Sequence, residues 1–583
     1  MKKLLVGLFL LAVVFTSCEK TTVDPIPETP TGNITSDIES DMTFKMGENY
    51  VINGTVRVRN CTLVFEPGAI IKFTEGAVLD IAYSDNEHVT FIAKGTPDLP
   101  VVFTSVSTSP SAGDWSGIRF YKGANNCQLD YCIVEYSGSH DYYGSLYIDN
   151  TEVSITNTIL RKASNVGIMV KEEGAFSAFG GNAFSQIQSY PISIQANSVH
   201  TIVGVNAFQT DLGVLITNDA SYTLSGSHTW TNQAAPYYAE GTIRFGAVGQ
   251  GSTLNIEKGT HFRMMEDAQW DIAYWDGEYA TIIAHGTPEE PIVFTSASPA
   301  PSAGDWVGLI FEDGANNCSF NYCVFEYGGS NDYYGTINVK NAAVGFRYCQ
   351  FLNSQYYGIR MKDNAYFTDF GNNTFANTGI YPITIWPNYV HTITGENTFE
   401  QGSAICVDND CELDIAGNYI WSNQTAPYIV DGFLRVGSAG AGVSLQIEAG
   451  TVLKFTSGGG LQIPYWADTY GTLVAIGSAE EPILFTSADP LPNPGDWKGI
   501  WFDEGSYNSI INHCEIKYAG GSYDYWGAIY LNDAGSPLSL SNTLISYSGS
   551  NAISVDSDDN GSSVDYSNNV SFLNNTGIDY YIR

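Results

Sequence analysis

Positive charge is scarce in this chain: 25 Lys and Arg stand against 62 Asp and Glu in 583 residues, a formal net charge of −37. Nucleic-acid binding needs a basic footprint that displaces counterions from phosphates, so that class of partner is excluded. The same acidity keeps a large chain soluble, attracts cations, and disfavours polyanionic substrates unless calcium bridges them. No window sustains helical apolar spacing for three turns, which argues against an α-helical fold. Beyond the first residues, no apolar run approaches the length of a membrane-spanning helix. Cysteine is sparse: besides Cys18 there are nine, an odd number, and no spacing among them resembles a zinc site.

The amino terminus carries an address. Lys2-Lys3 is a basic head, Leu4 to Phe15 an apolar run too short to span a bilayer stably, and Phe15-Thr16-Ser17-Cys18 follows. That ending resembles a bacterial lipobox, which implies cleavage before Cys18 and its lipidation. Residues 1–17 are therefore expected to be a signal peptide. Residues 18–40, rich in Pro, Thr and acids, are expected to form a tether. The mature chain is expected at the cell envelope, held to the outer membrane by lipid and exposed at the surface.

What the chain does have is a period. Asp114-Trp115, Asp305-Trp306 and Asp496-Trp497 are spaced by 191 residues, as are Gly95, Gly286 and Gly477. A fixed long period is the signature of a repeat architecture. Trp230 and Trp421 place boundaries that give copies at 41–231, 232–422 and 423–583, the last one truncated. Within each copy, short strands alternate apolar and polar residues and are cut by Gly, Asn, Asp and Pro, as in Leu63, Phe65, Ile71, Phe73, Leu79 and Ile81. Near-verbatim repetition of this kind suits a solenoid, in which each coil buries its face against the next. At ~20–25 residues per coil the folded chain makes roughly 23 coils. Ile511, Cys514 and Ile516 are expected inward, with Asn512 and His513 at a corner. Cys132, Cys323 and Cys514 recur in register, whereas Cys127 and Cys318 are followed by Ser509. The first series therefore reads as buried small side chains and not as disulfide halves. Cys406 and Cys411 form a candidate local pair.

The run Trp230…Pro236-Tyr237, Leu254-Asn255-Ile256-Glu257, Pro291-Ile292-Val293-Phe294-Thr295-Ser296, Gly304-Asp305-Trp306 and Asn321-Tyr322-Cys323 resembles a family of exported β-helix proteins. These are common in Bacteroidetes and related bacteria and akin in fold to pectate lyases. The resemblance covers about residues 45–583. It implies an all-β, right-handed parallel β-helix solenoid of about three tandem copies. Kinship in fold does not by itself specify chemistry.

Catalysis is disfavoured by the residues. A lyase needs clustered carboxylates beside an Arg or Lys, and a glycosidase needs two facing carboxylates. Arg119 is followed in register by Ile310 and Trp501, and Glu135 and Glu326 by Lys517. His200 and His391 are equivalent residues of the kind found at structural corners. Asp556, Asp558 and Asn560, with Gly561, match the front half of a calcium loop. No Glu completes the loop and the other copies lack it, so calcium is at most a weak expectation and no other cofactor is implied.

The best binding candidates are three loop stations: Asp141-Tyr142-Tyr143, Asp332-Tyr333-Tyr334 and Asp524-Tyr525-Trp526. Tyr and Trp beside an Asp suit sugars, with the ring stacking on an apolar sugar face and the carboxylate accepting hydroxyl bonds. The competing role is a cover over the core. A second aromatic series, Tyr83, Tyr274-Trp275 and Tyr465-Trp466, follows a strand at another corner. The expected protein is a non-catalytic, lipid-anchored rod that binds a polysaccharide or other surface ligand; equivalent outward aromatics aligned along one face of all three copies would favour this reading. A polysaccharide lyase or hydrolase and a ligand-free spacer are the alternatives.

Overall fold

A computed structural model describes residues 32–583 except 210–211, 218–222, 250, 409–413, 441, 465–467, 522–525 and 557–562. The chain is an all-β parallel solenoid of about 19 turns with almost no helix. At ~4.8 Å between stacked strands the rod is roughly 90 Å long. There are fewer turns than expected because many are longer. Met42 stacks on Leu63, but Val78 stacks on Gly117, the extra residues lying in corner loops. Winding begins inside the stretch expected to be tether: Gly32–Ile34 pairs with Asn49–Ile52, and Ile38 is buried against the second turn.

The strands form because alternate side chains face one shared core. Along one sheet, Phe262, Phe294, Phe325, Phe351, Phe375 and Phe399 stack turn upon turn, with ring centroids 4.8–5.3 Å apart. Offset-stacked aromatic pairs add to the burial term. At one corner, backbone N–H groups that enter the core are met by asparagine: Asn182 Oδ1 accepts from Thr158 N (3.0 Å) and Asn206 Oδ1 from Asn182 N (3.1 Å). Asn373 and Asn397 repeat this arrangement one period further along the chain.

Ile511, Cys514 and Ile516 point into the core, and His513 sits at a corner with φ of +50°. Cys132, Cys323 and Cys514 are buried thiols; burial pushes Cys514 up to about 12. Ser509 performs the task of its cysteine equivalent: its Oγ accepts from Leu473 N (3.1 Å), as Cys318 Sγ does from Ile282 N (3.3 Å). Cys411 lies outside the described residues, and the candidate pair with it. His200 and His391 sit on two six-residue 3-10 helices, Ala196–Thr201 and Pro387–Thr392.

The Asp-Trp pairs are structural. Trp115, Trp306 and Trp497 are fully buried, and each Nε1 donates to a main-chain carbonyl at 2.7–2.9 Å. Asp114 and Asp496 accept from Ser105 and Ser487 hydroxyls and from a turn N–H, and Asp305 does the same with Ser296 and Ser302.

The period does not divide into whole turns. From Val78–Ile81 the first 14-stranded sheet takes seven steps to reach His261–Met264, and Gln269–Ile272, the equivalent of Val78–Ile81 one period on, is the next strand along the chain. That strand belongs to the second 14-stranded sheet. A period is therefore seven turns plus one face, and equivalent residues sit on successive faces. Each long sheet begins as the second face of one segment and ends as the first face of the next.

Trp306→Ala removes a buried indole and leaves the Glu326 carbonyl without its donor, a change expected to cost about 3–5 kcal/mol locally. Repeat stability is local, so the loss should appear in hydrogen exchange as faster exchange in Gly308–Phe311 and Cys323–Glu326. Unaltered protection there would refute the structural role.

Candidate functional site

On the outer side of each segment's second face, stacking brings together residues that are far apart in sequence. Arg57, Asp80, Arg119 and Tyr147 form one ladder on successive turns. Arg244, Asp271, Ile310, Asn338 and Arg360 form the second. Arg435, Gln462, Trp501 and Tyr530 form the third.

Asp80 is only 2% exposed although it faces away from the core, and Asp271 only 1%. Arg119 Nη1 stands 3.8 Å from Asp80, and Arg244 Nε 3.4 Å from Asp271. Burial pushes both carboxyls above their ordinary value, and the guanidinium groups pull them partly back. In the third segment the acid moves from strand to corner: Asp503 accepts from Gln462 Nε2 (2.7 Å) and Asn532 Nδ2 (2.9 Å).

Aromatic rings from both edges of the sheet roof these charges. From the station edge, Tyr143 lies 3.7 Å over the Arg119 guanidinium and meets Tyr147 at 5.0 Å. From the far corner, Tyr83 lies over Arg57 (4.6 Å) and against Tyr121, which reaches Tyr147 (5.9 Å). In the second segment Tyr274 and Trp275 flank Arg244, and Lys362 Nζ sits 3.3 Å over Tyr333. In the third, Trp526 packs on Trp501 and Tyr530. The two aromatic series thus meet across one outer face in the first segment.

The stations divide their rings between two tasks. Tyr142 is 56% exposed and Tyr333 53%, whereas Tyr143, Tyr334 and Trp526 are half-buried, Tyr143 and Trp526 within the roof. Asp141 is exposed and accepts from Asn165 Nδ2 (3.2 Å). Asp332 is exposed, and its carbonyl accepts from Arg360 (3.0 Å). Asp524 and Tyr525 lie outside the described residues. The stations do not line one face: they precede Leu146–Asp149, Gly335–Lys340 and Gly527–Asn532, strands of three different sheets. The cause is the extra third of a turn in each period. Of the calcium half-loop, Asp558 and Asn560 lie outside the described residues. Asp556 ends a strand and pairs with Arg583 at 3.6 Å. Among the described residues, no group of three or more His, Cys, Asp or Glu is placed to hold a metal ion.

At the far edge of the same face the corner loops of two successive turns enclose a cleft. In the second segment Tyr274, Trp275, Asp276, Glu278, Glu312 and Asp313 line about 370 Å³. In the third, Asp468, Tyr470, Asp503, Glu504, Tyr507 and Asp533 line about 220 Å³. Glu312 and Asp503 are 191 residues apart, as are Asp313 and Glu504.

Register between copies did not reveal the outward acid–arginine pairs, because Asp80 and Arg119 meet across one turn and not across one period. The available signal was a lone carboxylate inside an apolar strand followed by an aromatic corner, Leu79-Asp80-Ile81-Ala82-Tyr83 and Trp270-Asp271-Ile272-Ala273-Tyr274.

The family model described as a pectate-lyase-like beta helix domain matches residues 34–161 and 223–372. Over these segments, just under half of the chain, the sequence is similar to that family. The matched segments include the first two ladders, the first two stations and the larger cleft. No curated protein matches the chain.

Asp80, Asp271, Glu312 and Asp503 are all pushed upward, chiefly by burial. A carboxyl raised in the fold favours folding when protonated. That contribution is complete below the unfolded value of about 4 and is lost as pH rises through the folded value. The thermal midpoint should therefore fall as pH is raised from about 4 towards neutrality, and Asp503→Asn should flatten the fall. A pH series of melting curves checks this; a midpoint that climbs identically in both proteins would contradict it.

Proposed function

We propose that this protein is a non-catalytic, lipid-anchored rod of the cell envelope that binds polysaccharide or another surface glycan through the aromatic outer faces of its segments. The observation that carries the reading is the division of labour at the stations. At the first, Tyr143 is locked over Arg119 and holds the loop while Tyr142 stands exposed beside Asp141; at the second, the exposed ring, Tyr333, itself lies against Arg360 and Lys362 beside Asp332. A ring held in place loses little entropy when a sugar stacks on it, and the carboxylate can accept a hydroxyl hydrogen bond. The pectate-lyase-like fold is consistent with a polysaccharide-related role. Cys18 supplies the membrane attachment in this proposal.

Because successive stations face different sides, one stiff chain lying along the rod does not meet all of them. Avidity then comes from a flexible or branched polymer, or from several chains at once.

A second reading, hydrolysis of a glycosidic bond, is favoured only by the clefts, where Asp503 has a raised proton affinity beside Glu504. A raised carboxyl is what a general acid requires.

A glycan array with the Cys18→Ala chain tests the proposal, repeated with Tyr142→Ala and Tyr333→Ala. Binding to a defined glycan that weakens in each variant, with no new reducing ends after prolonged incubation, is the expected result. Binding untouched by both substitutions removes the stations from the proposal, and release of reducing ends transfers it to the hydrolase reading.

A further inference from the structure

We propose that the two corner clefts are a duplicated binding site for amine-bearing saccharides, that is, pyranose rings carrying a protonated amino group. The proposal rests on the glycan reading above only in taking the ligand to be a saccharide; its residues are not those of the stations.

Two kinds of side chain predominate in the lining of the clefts. Each cleft combines aromatic rings with several carboxylates, and among the described residues neither has a Lys or Arg in its lining. The rings are at the surface: Tyr274, Trp275 and Tyr279 around one cleft and Tyr470 and Tyr507 around the other are all exposed. Open, shallow cavities of about 370 and 220 Å³ suit one or two sugar rings and are too small to enclose a folded partner. An aromatic wall attracts the apolar face of a pyranose and, by its quadrupole, a nearby ammonium group.

The carboxylates then select the charge. They are spread along the cleft and do not converge: among the described residues no three acids are placed to share a metal ion. Separated acceptors fit donors spaced along an extended ligand. Some are already engaged: Glu278 accepts from Trp275 N (3.1 Å), Lys340 Nζ stands 4.0 Å from Glu312, and Asp503 is held by two amides. Asp276 and Asp468 also line the clefts, and Asp313 and Glu504 are the acids equivalent across the period that the proposal assigns to the ammonium. A uronate would bring a second negative charge against these groups and be repelled.

The first segment supplies an internal contrast. At the positions of Glu312 and Asp503 it has Tyr121, and at those of Asp313 and Glu504 it has Lys122. Tyr121 is folded into the roof against Tyr83 and Tyr147. Acid at both cleft positions therefore recurs in the second and third segments, while the first places a cation there.

Titration calorimetry of the Cys18→Ala chain with hexamers of glucosamine, N-acetylglucosamine and galacturonic acid tests the proposal. The glucosamine hexamer should bind at two sites per chain, about tenfold or more tighter than the acetylated one, and galacturonate should not bind. Asp313→Asn and Glu504→Gln should each remove one site and together both, with the melting curve unchanged. Equal affinity for the acetylated hexamer overturns amine recognition and leaves the glycan reading standing. Loss of binding on Tyr142→Ala or Tyr333→Ala, with Asp313→Asn and Glu504→Gln silent, moves the ligand to the stations and overturns the cleft site. Displacement of the glucosamine hexamer by oligolysine at equal charge overturns its saccharide class. No binding of any hexamer overturns the cleft site, and a blank array is what overturns the glycan reading.

Discussion

The strand amides of this parallel solenoid find their partners one turn away, and that single constraint organises the protein. It fixes which residue stands on which, at ~4.8 Å, for the length of the rod. Inside, it converts alternating strands into ladders such as the six stacked phenylalanines from Phe262 to Phe399. Outside, it converts Arg57, Asp80 and Arg119, scattered over more than two turns of sequence, into one column of alternating charge. The aromatic roof follows from the same geometry. A charge column on an outer face needs cover or solvent, and rings from the two adjoining corners are the side chains within reach.

The length of the period has a separate consequence. Had it closed a whole number of turns, all equivalent residues would fall on one side of the rod, like teeth on a rack. The additional face turns each segment relative to the one before it. Copies of one sequence are thereby presented to different directions, and the long sheets change role midway along their length. A solenoid tolerates this because each turn needs only a neighbour of matching shape, whatever its place in the repeat. The two short 3-10 helices carrying His200 and His391 lie where that change of role takes place.

The fold was legible from local signals: alternation with period two, turn residues between strands, and the repeat itself. The buried Asp-Trp pairs and the inward cysteines were legible because the same environment recurs at every copy. The outer face was less so. Turn length varies with the corner loops: the turn that sets Gly117 on Val78 takes almost twice as much chain as the one that sets Leu63 on Met42. Sequence spacing alone therefore does not say which outward residues meet. Asp80 looked like one acid among many, and its arginines lay elsewhere in the text. The stations point in different directions for a related reason: identity between copies reports equivalent environment, not equivalent direction. Tyr142 and Tyr143 are legible as a loop pair, but nothing in two adjacent tyrosines says which one turns inward. That choice belongs to Arg119 beneath the loop.

The distribution of the few basic residues bears on what the outer surface can hold. Arg57, Arg119 and Arg244 are drawn under aromatic rings, where they neutralise buried aspartates. There they are screened from a polymer in solvent, and the chain keeps a formal charge of −37. The acids at the corners have no such cover. A polyanion approaching the rod meets uncompensated carboxylates at the cleft mouths, and the arginines it would need are already engaged below the tyrosines. A neutral or cationic saccharide meets the same carboxylates as acceptors, with rings beside them. Positive charge inside the roof and negative charge at the corners would therefore favour a neutral or cationic ligand for the proposed sites before any individual contact is made.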